Sequence, residues 1–589
     1  MGAARRDKLL RVDLSSGKTR SEPVPPAWLD AYIGGKGLGA RYLYEELEAG
    51  VDPLGPDNRI LFMLGPLSGT TPGEQRYAAI TKSPLTGTFL DSYAGGSVPE
   101  RLAGALDRHI GLLIEGQADG LVTLHVEDGA AEIEPADHLE GATADAVDEA
   151  FPDAAVACIG PAGEHLVNYA TIASDGGEHQ AGRGGAGAVL GSKRLKALVV
   201  QGEPPHWLEE LREAAREAFA QAHVGRWQGS SGTLETIDFA NEVGALPTRG
   251  WQTGTFEAVD DIGIEAVRGL AAGRERTDDA VPGDFRVQTA DGETVPRGGA
   301  PLSLGAGLGI DDMDAVAELT GRCDRLGLDL ISVGSAIAFA IRAGELGYLD
   351  TALEFGDVAG ATALVEAIAT RSTALADTLA DGVESAADAI GGEELIPTVK
   401  AMELPGFDPR ASPAMALAYA TSDRGACHRR ARPVEDEPLS DTAWSHDRRV
   451  EAVIEEQDRR ALLWSLPVDD FVGDSFDDLG AEWLAAIGRK RSPDDLRRVG
   501  ERIWTLIRLF NVREGFDRSD DTLPARLTEP LPDGPAAGQS IDAETFTRLL
   551  DRYYEKRGWG LDGRPTHATI DRLALHDAVD DTAMLLSQD

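Results

Sequence analysis

Through the first 203 residues the apolar positions come in short runs closed off by Gly, Pro and Asp: "RILFMLGPL", "YAAITKSPL", "IGLLIEGQ", "GLVTLHVEDG" and "LKALVVQGE". Apolar runs of this length between turn formers predict strands. Two stretches, "PERLAGAL" and "ATADAVDEAF", read as helices set among them. From "PPHWLEELREAAREAFAQA" onward the apolar spacing lengthens to about 3.6 residues, the helical period. Helices are expected at "MDAVAELTGRCDRLG", "GSAIAFAIRAGELG", "ATALVEAIATRSTALADTLADG", "VEAVIEEQDRRALLWSL" and "DDLRRVGERIWTLIRLFNVREG". The segment "GGEELIPTVKAMELPGFDPRASP" follows neither period and marks a boundary, and "LPDGPAAGQS" reads as a surface loop. The expected fold class is α+β, with a β-rich N-terminal domain over 1–203 and two mainly α-helical domains over 204–400 and 401–589. No internal repeat is legible.

Composition adds setting rather than fold. A chain of 589 residues, 42% hydrophobic, is long enough for several cores. No apolar run approaches the roughly 18 residues that span a bilayer. The start, "MGAARRDKLLRVDLSSG", lacks the apolar stretch of a signal peptide, so the expected location is the cytoplasm. The net charge of −44 sets 100 Asp and Glu against only 9 Lys and 47 Arg. At low salt such a field strains the compact state by self-repulsion. At molar salt the Debye length falls to about 3 Å and the repulsion is screened. A halophilic protein is therefore expected; the alternative is an acidic face for a basic partner. Nucleic-acid binding is excluded, because no basic patch remains to meet phosphates.

Cys158, Cys323 and Cys427 stand far apart, with no Cys-x-x-Cys. Neither a zinc site nor a disulfide framework follows, and each is expected to be a small buried side chain. Three glycine clusters lead into predicted helices: "IGGKGLGARYLYEEL", "SYAGGSVPERL" and "AGRGGAGAVLGSK". Glycine before a helix lets backbone N–H groups approach an anion. Arg76 and Arg183 are placed to add bidentate phosphate contacts. None of the three fits a dinucleotide or P-loop fingerprint. Singly each reads as a tight turn; together they suggest an extended phosphorylated ligand.

The ordered series "LLRVDLSSGKT", "YIGGKGLGARYLYEEL", "RYAAITKSPLTGTFLDSYAGG", "AGRGGAGAVLGSKRLKALVVQG", "CDRLGLDLIS", "MELPGFDPR", "AYATSDRGACHRRA" and "RIWTLIRLFNVREGF" resembles the aldehyde:ferredoxin oxidoreductases. These enzymes carry tungsten, sometimes molybdenum, on two pyranopterin dithiolenes. The resemblance implies that the N-terminal domain seats the pterins and two helical domains close over them. It implies pterin contacts from Arg76, Gly95, Gly182, Arg183, Gly184 and Gly185. The family's motif Asp-x-x-Gly-Leu-Asp/Cys is intact as Asp324, Gly327, Leu328 and Asp329. Read without the family, that stretch is a helix C-terminus with a glycine cap. The second copy of the motif is Trp464-Ser-Leu-Pro467-Val-Asp469, where only Asp469 keeps the pattern.

The family's four-iron cluster is expected beside the pterins, yet its cysteine positions here hold Asp278, Val281, Phe285 and Asp469. Iron–sulfur clusters need thiolates, so no cluster is expected and no metal ligand is assigned. The family's "PEYE" is "PLSL" at 301–304. His428 remains as the candidate proton donor or acceptor to an aldehyde oxygen. The resemblance implies oxidation of a small aldehyde to a carboxylate, with electrons passing to ferredoxin or to a partner subunit docking near 276–286. It also allows a homodimer, which no sequence feature specifies. Two alternatives stay open: a non-catalytic paralogue that keeps the fold, and non-redox hydration at a retained metal.

Overall fold

The computed structural model describes residues 6–395 and 398–579. The extreme ends of the expected first and third domains, and residues 396–397 of the expected boundary segment, lie outside them.

Twelve strands build the N-terminal part: β1 Lys8–Asp13, β2 Lys18–Pro23, β3 Ile60–Met63, β4 Tyr77–Lys82, β5 Phe89–Ala94, β6 His109–Glu115, β7 Val122–Glu127, β8 Ala130–Pro135, β9 Ala155–Cys158, β10 Ile172–Ser174, β11 His179–Ala181 and β12 Leu195–Gln201. They form two six-stranded sheets, in the orders β2-β1-β6-β3-β4-β5 and β8-β7-β12-β9-β10-β11. Adding six to every strand of the first order gives the second. Directions repeat as well: β1 runs parallel to β6 as β7 does to β12, and the other pairings are antiparallel. The domain is thus an internal duplication, which corrects the expectation of no repeat.

Side chains alternate faces along a strand. Ile60 and Phe62 point between the sheets with Ile114, Leu124, Val126, Leu198 and Val200. Leu61 and Met63 point outward, where the helices Gly35–Glu46 and Pro493–Arg513 cover them. The outer face of the second sheet packs Val156, Cys158 and Val199 over the short helix Ala144–Glu149. The edge strands β5 and β11 meet between the two sheets.

Helices dominate from Glu209 on. Three departures from the sequence reading have physical causes. The run "ATALVEAIATRSTALADTLADG" is two helices, Val358–Thr370 and Ala374–Ala380, because Arg371 turns left-handed (φ 49°) and Thr373 caps the second. A three-stranded sheet, Ala271–Arg274, Phe285–Thr289 and Gly292–Thr294, interrupts the expected all-helical stretch. Gly34 caps the helix Gly35–Glu46, and the other glycines of "GGKGLG" lie inside it rather than ahead of it. A Cβ on Gly37 would strike Ile503, and one on Gly39 would strike Ile80. That cluster serves close packing, not an anion cradle. No described helix is long and apolar enough to cross a membrane.

Candidate cofactor and substrate site

The stretch "RCDRLGLD" is both a helix end and a helix start. Gly327 closes the helix Met313–Leu326 in the left-handed conformation (φ 74°), as a glycine C-cap does. Asp329 then caps the helix Leu330–Glu345, accepting from the N–H groups of Ile331 and Ser332. Its other oxygen accepts from the Arg183 N–H at 2.7 Å. A carboxylate held by three backbone donors fixes the helix against the glycine loop after β11.

The second motif copies this docking. Leu328 forms an antiparallel bridge with Ala170, two residues before β10; Val468 forms one with Gln75, two residues before β4. Gly160 and Gly65 stand at matching places beyond β9 and β3, and a Cβ on either would strike the carbonyl of Leu326 or Leu466. Asp469 caps the helix Asp470–Asp474 as Asp329 caps its own. Its free oxygen accepts from Arg76 Nε at 3.0 Å and Nη2 at 2.9 Å. The twofold relation therefore extends from the sheets into the helical part.

A cavity of about 790 Å³ lies between the sheets and the helical parts. Of the residues singled out from sequence, Arg76, Asp324 and His428 line it. Gly95, Gly182, Arg183, Gly184, Gly185, Leu328, Asp329 and Asp469 do not. They form the layer behind the wall. Burial pushes the Asp324 carboxyl up to about 7, against the pull of Arg297 and Arg325. Burial, reinforced by Arg432, Arg429 and Arg183, holds the His428 imidazole well below its usual value, so it is neutral. Its Nδ1 is buried without a hydrogen-bond partner among the described residues.

Sequence reasoning missed much of the wall. Glu74 takes Arg76 at 2.7 Å and His179 Nδ1 at 2.8 Å. Burial raises its carboxyl, but Arg76 and His179 outweigh that and hold it well below the carboxylate range. Arg297 binds Glu275, and Arg276 stands beside them. Glu178, His179 and Glu275 come close enough to hold an ion, yet Arg286 and Arg297 already take the two carboxylates. Cys427 was expected to be only a small buried side chain. It is buried, but Arg424 Nη2 lies 3.2 Å from its sulfur. Burial raises the thiol and is overcome by Arg424 and Arg430, which bring it down to about 7. The one hint in the sequence was the arginine-rich run around it, "SDRGACHRRAR".

Two family descriptions cover the chain: "Aldehyde ferredoxin oxidoreductase, N-terminal domain" over residues 9–202, and "domains 2 & 3" of the same family over residues 209–575. This chain belongs to the aldehyde ferredoxin oxidoreductase family. The tungsten-containing aldehyde ferredoxin oxidoreductase of Pyrococcus abyssi is 34% identical, over 97% of this chain and 99% of the relative. Its counterpart in Thermococcus kodakarensis is 35% identical, over 96% and 98%. Among solved structures, the active-site complex BamBC of benzoyl coenzyme A reductase with 1,5-dienoyl-CoA aligns with a TM-score of 0.83. It covers 98% of both chains at 23% identity, a likeness of fold.

Within that family the four cluster positions of this chain do not fit iron–sulfur chemistry. Val281 and Phe285 are hydrocarbon and buried, Asp278 is exposed, and Asp469 is committed to Arg76. Arg274 stacks over the Phe285 ring, 4.1 Å from its centre. Thiolates are what such a cluster requires, and none of the four side chains supplies one.

Proposed function

We propose that this chain oxidises an aldehyde to a carboxylate at a tungsten or molybdenum centre carried by pterin, in the cavity lined by Asp324 and His428. The carrying observation is a set of buried donors without partners on the Arg183 side. Arg183 Nη2 bonds the carbonyls of Glu403 and Ala426, whereas Nε, 4.0 Å from Asp329 Oδ1, and Nη1 have no hydrogen-bond partner among the described residues. A buried guanidinium with unused N–H groups is costly unless an anion completes it. A pterin phosphate would complete it, while Gly182, Gly184 and Gly185 pack the loop against Asp329, Leu90 and Asn168. Asp324, with its raised pKa, faces the cavity where an amino-pyrimidine edge would donate.

The centre supplies the redox step when bound: two electrons leave the aldehyde as water contributes an oxygen. His428 manages the proton. Neutral at working pH, its unpartnered Nδ1 accepts a proton as the carboxylate forms. The relatives named above are tungsten-containing aldehyde oxidoreductases, which supports this reading. Electrons leave to an acceptor outside the chain, an iron–sulfur protein such as ferredoxin or a partner subunit. The docking face is the run 276–286, where Arg276 reaches the cavity wall and Asp278 is exposed. A cytoplasmic, salt-rich setting accords with the acidic composition.

The test is elemental and pterin analysis of protein made with tungstate or molybdate, together with dye-linked aldehyde oxidation. Tungsten or molybdenum with almost no iron, and turnover, is the expected result. Neither metal overturns it and favours the non-catalytic paralogue. Metal and pterin without oxidation favour hydration.

A further inference from the structure

The two motif copies dock alike, so they invite a residue-by-residue comparison of what stands beside each. On the first side Asp324 faces the cavity. On the second side the matching residue is Trp464, which is buried and does not reach the cavity. Its ring lies 5.1 Å from that of Tyr93 and 4.5 Å from the Arg430 guanidinium. Its indole N–H donates to Asp470 Oδ1 at 2.6 Å. Where the first copy turns on Gly327, the second carries Pro467, packed against Gly65 and Gly35.

Behind the indole sits a closed ionic cage. Lys36 Nζ lies 2.9 Å from Asp91 and 2.6 Å from Asp423. Arg430 binds the remaining oxygens of the same two carboxylates. The Tyr93 hydroxyl donates to Asp91 at 2.6 Å. All of these side chains are at least nine-tenths buried.

The anchoring groups are spent as well. Arg76 gives Nε and Nη2 to Asp469 and Glu74. Glu74 Oε1 lies against Gly95, where a ligand would need that backbone bare, and accepts from the Gly96 N–H at 3.3 Å. On the Arg183 side two guanidinium nitrogens have no hydrogen-bond partner among the described residues, Nε lying 4.0 Å from Asp329 Oδ1; in the cage only Arg430 Nη1 is left so.

We propose that this chain seats one pterin, on the Arg183 side, and that Trp464, Tyr93, Lys36 and Arg430 occupy the place of the second. The inference rests on the proposed function for its first pterin and departs from the two-pterin arrangement that the family resemblance implies. The cavity reaches Glu74, Arg76 and Tyr93 on that side and stops short of Trp464; a heterocycle seated against the second motif as one would sit against Asp324 must evict the indole, break the Arg76–Asp469 pair and uncover buried charge.

Two measurements test it. In holoprotein, pterin released by denaturing oxidation is counted against tungsten or molybdenum by mass spectrometry; one pterin per metal is expected. Two per metal overturns the inference and leaves the proposed function standing. No pterin overturns both. The second measurement needs no cofactor. Trp464→Ala in the cofactor-free protein is expected to lower the thermal midpoint by about 5 °C or more, as loss of a core aromatic does. An unchanged midpoint means the ring lines an open cleft, and the inference falls even if the proposed function holds.

Discussion

The loops after β5 and β11 occupy equivalent places in two sheets of identical strand order, yet they face opposite demands. The loop after β11 keeps an arginine whose donors are partly unused, next to a motif that presents a carboxyl to the cavity. The loop after β5 is held by Glu74, which with Arg76 forms part of the cavity wall, next to a motif rebuilt around an indole. A duplicated scaffold constrains where two ligands would sit. It does not compel both sites to be kept, because each is completed by residues from a different helical part. The backbone bridges, capping aspartates and close glycine approaches survive on both sides, since they hold the docking together. The side chains that face a ligand are free to diverge.

The largest expected effect probes the sealed side. Asp423→Ala leaves Lys36 and Arg430 buried with one carboxylate between them, at a cost of about 3–5 kcal/mol. Chemical denaturation should give nearly the same loss at low and at molar salt, because buried pairs are screened little. A loss that disappears with salt would mean the cage is solvated and the two sides are less different than they look.

Next come the paired glycines. Gly65→Ala and Gly160→Ala should each destabilise by about 1–3 kcal/mol through overpacking against a motif carbonyl. Matching losses sharpen the twofold relation; a loss at one site only would break it. Arg183→Gln and Arg76→Gln separate the two arginines. The first should lower bound pterin about ten-fold, the equivalent of about 1.4 kcal/mol. The second should leave pterin content unchanged while lowering the unfolding midpoint. The reverse assignment would move the open seat to the β5 side.

The smallest effect concerns Cys427. Thiolate absorbance should titrate near pH 7 and vanish in Cys427→Ser, given a thiol brought down to about 7. Because the folded value lies below the unfolded one, this group adds stability that is full above pH 9 and fades as pH falls through 7. Arg424→Gln should raise the midpoint by about one pH unit, or about 1.4 kcal/mol. A midpoint unmoved by that change would assign the shift to Arg430 and tie Cys427 to the sealed side alone.

The strands β3, β4, β6, β7 and β12 were legible as apolar runs between turn formers, because most of them are buried on both faces, and the long helices were legible from their spacing. Short strands such as β10 and β11 were not, because three residues carry no period. The twofold duplication was hidden for a similar reason: it rests on bridges and glycines at matching offsets, not on similar side chains. Charge was legible in sum but not in place. Lys36, Lys82, Lys193 and Lys196 are buried, although so acidic a chain suggests that its few lysines face water. Each finds carboxylates or carbonyls that only the folded chain brings near.

By itself the sequence determined the α+β class, the family and the lack of a thiol at positions 278, 281, 285 and 469. Those depend on local period, on ordered motifs and on which atoms the side chains contain, and no folding can alter them. Tertiary structure alone decided that Arg76 is bound to Asp469, 393 residues away, while Arg183 keeps two nitrogens without a hydrogen-bond partner among the described residues. It likewise decided that Trp464 fills a seat instead of opening one. Pairing and desolvation depend on what the path of the chain brings together, and identical letters acquire different chemistry according to whether that path leaves a partner or a gap.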